Sequence, residues 1–427
     1  MLLTLLLVFA LTLAVGMPVA FSMLISSIAA LLVGGTFPSM IIVQRIAPGL
    51  DSFPLLAIPL FVLAGNFLNS SGIAHRIFDF AATLVGHIKG GLAHVNILAS
   101  LIFAGMSGVA SADAAGLGQI EMTQMKRAGY EPAFAAALTA VSSVVGPIIP
   151  PSVIMVIYSV QASVSLTDLF LAGVIPGLMF CTFLMGTVFI MAHTGRINVE
   201  PEKRATFREV GRAGLRALPA ILAPVFLLAG LFLGIATPTE LGAMIAAYAL
   251  ILGFTQGNMT VRHALEAFFS TVRTCGVLIF IVAASVPFGW IIAVSGLSNS
   301  FSGFVTSFAS SPLQILLVIS VLLLIAGSVI ETGALMLIAI PIFLPTILAA
   351  GIDPIHFGIV LILCCLVGAI TPPFGIILFV MMDVAQISIG KLSRAVLPFY
   401  FPIVALLIVI CAFPMISLFL PVLLGGM

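Results

Sequence analysis

The sequence has 427 residues, 62% of them hydrophobic and 7% charged, with a formal net charge of +1 and a mean hydropathy of +1.34. That composition excludes a water-soluble globular domain and leaves no electrostatic footprint for a nucleic-acid partner. The five cysteines (Cys181, Cys275, Cys364, Cys365, Cys411) stand in apolar segments without metal-ligand spacing and read as reduced packing residues.

Apolar runs of about 20 residues, enough to cross a hydrocarbon core of about 30 Å, follow one another along the chain. Spanning or membrane-embedded segments are expected at 2–34, 53–73, 91–125, 131–163, 169–193, 217–233, 237–256, 268–296, 313–350, 355–386 and 396–424. The first run is long enough for two helices, and it lacks the basic start of a cleavable signal. Shorter pieces at 37–50 and 259–272 are expected to lie along the interface. Arg196 to Arg216 carries Arg196, Lys203, Arg204, Arg208, Arg212 and Arg216, and reads as a charged cytoplasmic linker. It divides the chain into a first repeat, 1–195, the linker, 196–216, and a second repeat, 217–427.

The repeat shows in the residues. Gly146-Pro147-Ile148-Ile149-Pro150-Pro151-Ser152 recurs as Gly368-Ala369-Ile370-Thr371-Pro372-Pro373-Phe374, shifted by 222 residues, the interval from Pro150 to Pro372. At the same shift Gly105 meets Gly327, Gly129 meets Gly351, Glu131 meets Asp353, Pro132 meets Pro354 and Pro176 meets Pro398. Interrupted apolar segments at matching places in two halves point to the binding site of a secondary transporter.

Loop charge gives the orientation. The loop His75 to Gly90 holds Arg76 and Lys89, and Lys126-Arg127 follows the next segment, so both read as cytoplasmic. Their counterparts, Leu297 to Pro312 and Gly351 to His356, hold no lysine or arginine and read as external. Lys391 and Arg394 are cationic where the matching Thr167-Asp168 is not. The repeats are therefore expected to be inverted. Segments 91–125 and 313–350 then begin and end on one side, as re-entrant hairpins with tips at Gly105–Asp113 and Gly327–Gly333; 131–163 and 355–386 are broken helices. Irregular backbone at membrane depth is tolerated only beside protein or a watery cavity.

The chemistry follows from these breaks. Pro150-Pro151 and Pro372-Pro373 remove amide donors, freeing carbonyls from Gly146 to Ile149 and from Gly368 to Thr371. Carbonyl oxygens and the Thr371 hydroxyl suit a sodium ion, and the half-helices after Ser152 and Phe374 offer amides to an anion. A plain proline kink in a packed helix is the bland alternative. At the tips, Ser107, Ser111 and Thr332 can supply hydroxyls to a carboxylate or a cation. Asp113 and Glu331 are carboxylates in apolar surroundings, which points to function. Asp113 can equally cap a helix at Ala114, and Glu331 can serve a hydrogen bond within its hairpin. Gly105-Met106-Ser107-Gly108 also matches the nucleophile pattern of intramembrane serine proteases, but none of the six histidines is an obvious general base.

Four motifs together, Gly105 to Ala114, Gly146 to Ser152, Glu331 to Ala334 and Thr371 to Gly375, resemble the large membrane subunit of tripartite ATP-independent periplasmic (TRAP) transporters, the DctM or SiaM type. The similarity extends over essentially the whole chain. It implies an elevator transporter in a bacterial inner membrane, multi-pass, coupled to two or more sodium ions. It further implies a separate small four-helix membrane subunit, a periplasmic substrate-binding protein, and an organic carboxylate as solute. Carried over by position, one sodium site takes Ser107, Gly146 and Ile149, and the other Gly327, Gly368 and Thr371. The solute then lies between the tips, at Ser107, Ser111, Ser152 and Glu331, with Thr332 beside them. The expected function is sodium-coupled uptake of an anionic organic acid such as sialic acid or a C4-dicarboxylate. A carboxylate carrier working alone, and a membrane hydrolase using Ser107, are the rivals.

Overall fold

The computed structural model describes residues 1–35, 37–38, 40–197 and 199–424. Positions 36, 39, 198 and 425–427, which touch the expected interfacial piece, the linker and the end of the second repeat, lie outside the described residues. All described secondary structure is helical.

The chain begins with α1 (Leu2–Ala14) and α2 (Val19–Gly34), so the first long run is two helices, parted at Gly16-Met17-Pro18. Then come α3 (Ile41–Leu50), α4 (Ala57–Ser70), led by a 3₁₀ turn at Phe53–Leu56, and α5 (Ile73–Val85). The helix α6 (Gly91–Ser107) meets α7 (Ala110–Ala115) and α8 (Leu117–Arg127) across a two-residue turn. A broken segment follows, α9 (Pro132–Ser142) and α10 (Val153–Ala162), and then α11 (Leu166–His193).

The second half repeats this order. It contains α12 (Phe207–Phe232), α13 (Pro238–Thr255), α14 (Val261–Val294), α15 (Leu297–Phe308), α16 (Pro312–Gly327), α17 (Thr332–Ala349), α18 (Pro354–Gly368), α19 (Ile376–Ala385) and α20 (Ile389–Ala412). Subtracting 222 lays α16 over α6, α17 over α7 and α8, α18 over α9, and α19 over α10. The last helix, α21 (Met415–Leu423), packs on α11 and α18.

Among the described residues, seven helices are long and apolar enough to cross a membrane, or eight if α15 and α16, bent by 116°, count as one span. Three sequence expectations change. The linker's second half is helical: Thr206 caps α12 through a reciprocal pair with Glu209, so Phe207 to Arg216 continue into the span. The interfacial piece 259–272 is likewise the first third of α14, capped by Thr260. The presumed loops after residues 73 and 297 are the helices α5 and α15. In α5, Ile73, Ala74, Ile77, Phe78 and Ala81 form one buried stripe at helical spacing, which polar residues on the other face conceal.

One apolar core runs through both halves from Leu55 to Cys411. A second joins α1 and α2 to Ala284, Phe288, Ile291 and Ile292 of α14. The halves also interlock. The Tyr158 hydroxyl of α10 donates to the Pro354 carbonyl at 2.5 Å, and its ring occupies the space beside Gly358. Lys126 at the end of α8 donates to the Ala385 carbonyl of α19 at 3.1 Å.

Candidate functional site

The first tip forms because α6 stops at Gly108, whose φ of +65° suits glycine. A side chain at 108 would run into the Pro151 carbonyl, so the tip rests directly on the first helix break. Ser107 donates to Asp113, and the other Asp113 oxygen occupies the place a Cβ on Gly146 would need. Asp113 thus sits in the first turn of α7, whose N-cap is Val109, and does not cap Ala114. Ser107, Asp113 and Gly146 converge.

The break itself leaves oxygens free. No described backbone amide donates to the carbonyls of Gly146, Ile148 or Ile149, because two prolines follow. Pro147 is the exception: its carbonyl accepts from the Ser152 hydroxyl at 2.6 Å. Ser152 is fully buried and also caps α10 through the Met155 amide at 3.3 Å, so its hydroxyl stands behind the cavity wall. Both Pro-Pro peptides, 150–151 and 372–373, are cis.

The second tip is seated by a glycine pair. A Cβ on Gly368 would lie 2.5 Å from the Gly327 Cα, and one on Gly327 would lie 3.0 Å from the Gly368 Cα. Phe374 donates its amide to the Ser328 carbonyl at 3.1 Å. Here the freed carbonyls find donors: Gly368 from Thr371 at 2.8 Å, Ala369 from Ile377 at 3.1 Å, and Ile370 from the Tyr400 hydroxyl at 2.7 Å. The Thr371 hydroxyl turns back to the Val367 carbonyl at 2.7 Å.

Glu331 caps α17, accepting from Gly333 at 3.0 Å and from Ala334 at 2.9 Å. The carboxylate therefore makes the local hydrogen bonds expected of a structural role and still lines the space between the tips. That space is a cavity of about 90 Å³. Gly108, Val109, Ala110 and Ser111 line it from the first tip, and Glu331, Thr332 and Gly333 from the second. The Thr332 hydroxyl is 3.5 Å from the Cys365 carbonyl. Of the expected solute contacts, Ser111, Glu331 and Thr332 share this cavity, whereas Ser107 and Ser152 do not line it.

Ser107 opens instead on a second, more polar cavity of about 120 Å³, lined also by Asp113, Asn66, Asn69, Ser270 and Thr274. The last four belong to α4 and α14 and were not anticipated from the sequence. Their signal was present: Asn66 and Asn69 are three apart on one face of an otherwise apolar helix. The Asn66 amide also donates to Thr271 at 2.9 Å.

Residues 6–416 match the family described as "Tripartite ATP-independent periplasmic transporter, DctM component". The chain belongs to this family. It is 42% identical to the sialic acid TRAP transporter large permease protein SiaM of Vibrio cholerae, over 96% of each chain. It is 37% identical to the C4-dicarboxylate TRAP transporter large permease protein DctM of Pseudomonas aeruginosa, over 88% of each. It is 36% identical to the 2,3-diketo-L-gulonate TRAP transporter large permease protein YiaN of Escherichia coli, over 94% of each. In fold it is similar to the YdaH transporter of Alcanivorax borkumensis, with a TM-score of 0.64 at 16% identity over 86% of this chain and 87% of that one. This DctM-family chain is a transporter permease and not an enzyme, and Ser107 accordingly pairs with a carboxylate rather than a histidine.

Proposed function

We propose that this permease takes up an anionic organic acid together with sodium, as the large membrane subunit of a tripartite system in a bacterial inner membrane. The observation that carries this reading is the charge of the cavity between the tips. Its lining includes the Glu331 carboxylate and, among the described residues, no lysine or arginine. A carboxylate solute cannot be neutralised there by side chains, so cations bound close by have to supply the balance. The two helix breaks, each beneath one tip, offer the carbonyl and hydroxyl oxygens for them. Gly146, Ile149 and Ser107 serve one ion; Gly327, Gly368 and Thr371 serve the other.

The same lining supports the proposed solute class, as do the relatives' names, which give sialic acid, a diketo sugar acid and C4-dicarboxylates. Ser111, Thr332 and the Glu331 carboxylate suit a hydroxyl-rich acid with one carboxylate, such as sialic acid, better than a compact dicarboxylate. A space of about 90 Å³ is below the roughly 300–1,000 Å³ of pockets that enclose small ligands, so the tips must part to admit it. Sodium binding would set the tips on their breaks and so select the conformer with a formed anion site. In this reading residues 1–195 and 217–427 are inverted repeats, 91–125 and 313–350 are re-entrant hairpins, and both move with their broken helices across the bilayer as an elevator. A small four-helix membrane subunit and a periplasmic binding protein complete the system.

The test is uptake by the complete transporter in proteoliposomes. An inward sodium gradient should be required, and uptake unchanged with potassium in its place overturns the reading.

A further inference from the structure

Between the arms of the first tip and the helix before the first break lies a buried polar ring that the transport reading does not use. Asn96 and Ser100 come from α6, Glu121 from α8, and Thr139 and Ser142 from α9. Their exposures are 0%, 7%, 1%, 1% and 0% in that order. Asn96 Nδ2 contacts Glu121 Oε2 at 2.6 Å and Thr139 Oγ1 at 2.7 Å. Ser100 Oγ contacts Glu121 Oε1 at 3.2 Å and Ser142 Oγ at 3.1 Å, and Ser142 Oγ contacts Asn96 Oδ1 at 2.8 Å.

The Glu121 carboxyl group has donors at both oxygens but no counter-charge. The Asn96 amide brings two hydrogens to the ring, and Ser100, Ser142 and Thr139 bring one each. Ser142 Oγ also lies 3.2 Å from the Thr139 carbonyl, so its one hydrogen has several partners within reach. With Glu121 protonated, its Oε1–H can donate to Ser100, Ser100 to Ser142, Ser142 to Asn96, and Asn96 to Glu121 Oε2, which closes the ring. A carboxyl group buried this deeply needs either a proton or a cation beside it.

No charge nearby offers an alternative. The only ion pair among the described residues is Arg262–Glu266, in another helix. On α8, Lys126 is committed to Ala385 and Arg127 is exposed. α9 carries no ionisable side chain. His94 of α6 lies beside Gly90, and Asp113 of α7 is held by Ser107. On the other elements packed here, His75 and Asp79 of α5 and Asp383 of α19 are exposed, and Arg76 of α5 is half-buried. The second repeat supplies an internal control. Its matching residues are Val318, Leu322, Phe343, Leu361 and Cys364, so this packing does not require polar groups. A buried ionisable residue that the architecture can do without is a functional element by default.

We propose that Glu121 is a proton-binding site of this permease, and that its proton-loaded form is the one in which the first tip's arms pack against α9 for transport. Loss of the proton leaves a buried carboxylate with no cation beside it, which loosens that packing.

Infrared difference spectra of the lipid-reconstituted protein, taken between neutral and alkaline pH, test this directly. The carbonyl band of a protonated carboxylic acid should be present at neutral pH, vanish as pH rises, and be missing in Glu121→Gln while persisting in Asp113→Asn. Uptake by the complete wild-type transporter should fall by about tenfold per pH unit above the titration midpoint. Glu121→Gln stays uncharged at every pH and should lose that fall. Absence of a Glu121 band, or coincident pH profiles for wild type and Glu121→Gln, overturns the proposal. Should the Gln variant not reach the membrane, Glu121→Asp replaces it: a shorter acid must move both the band and the alkaline fall, and if neither moves the proposal fails. The infrared readout needs neither solute nor sodium, so its failure is distinct from failure of sodium coupling.

Discussion

The two tips follow one backbone plan with different fillings. The first meets its break through side chains: Ser107 and Asp113 reach Gly146, and the ring around Glu121 binds the arms to α9. The second meets its break through bare backbone, Gly327 on Gly368, with hydrocarbon where the first has polar groups. Freed carbonyls at the second break are mostly taken up by Thr371, Ile377 and Tyr400, whereas those of Gly146 and Ile149 have no backbone donor. The comparison shows that the architecture fixes where the tips sit, while the residues filling it decide which oxygens each break leaves free.

Replacing the glycines breaks this comparison most sharply. Gly368→Ala sets a methyl group against the main chain of Gly327, which cannot swing aside, and should lower uptake by about 100-fold, as a misplacement of about 1 Å does. Gly146→Ala meets chiefly the Asp113 carboxyl group, a side chain that can turn, with the Ser143 carbonyl oxygen farther off at 3.3 Å. It should leave substantial uptake while raising the sodium concentration required. Equal losses in proteoliposome assays would show that the tips are not seated differently.

Thr371→Ala removes the one hydroxyl among the second break's oxygens. It should raise the sodium requirement more than it alters the choice of solute; an unchanged sodium curve removes Thr371 from the site. Glu331→Gln can accept only one of the two amide bonds at the start of α17. A loss of about 1 kcal/mol in thermal or denaturant unfolding is expected, as for other caps, together with weakened uptake. The smallest effect is expected for Tyr158→Phe, which deletes one hydrogen bond between the halves, worth about 1 kcal/mol, and should slightly lower the melting temperature.

The sequence made the breaks and tips legible because proline and glycine act locally. Pro150-Pro151, Pro372-Pro373 and the glycine-rich turns declare themselves within a few residues. The helices α5 and α15 were hidden because their apolar stripes are narrow and polar residues interrupt them. The ring around Glu121 was hidden for another reason: Asn96 and Thr139 are 43 residues apart, and single polar residues in long apolar runs do not announce who their partners are. The committed state of Ser152 likewise depends on a turn that only the folded backbone defines.

The phenol of Tyr158 on Pro354 and the ammonium of Lys126 on Ala385 stitch the two halves together without any help from the segment that joins them. A permease produced as two polypeptides, severed near residue 205, would accordingly be expected to reassemble from its pieces in one lipid vesicle.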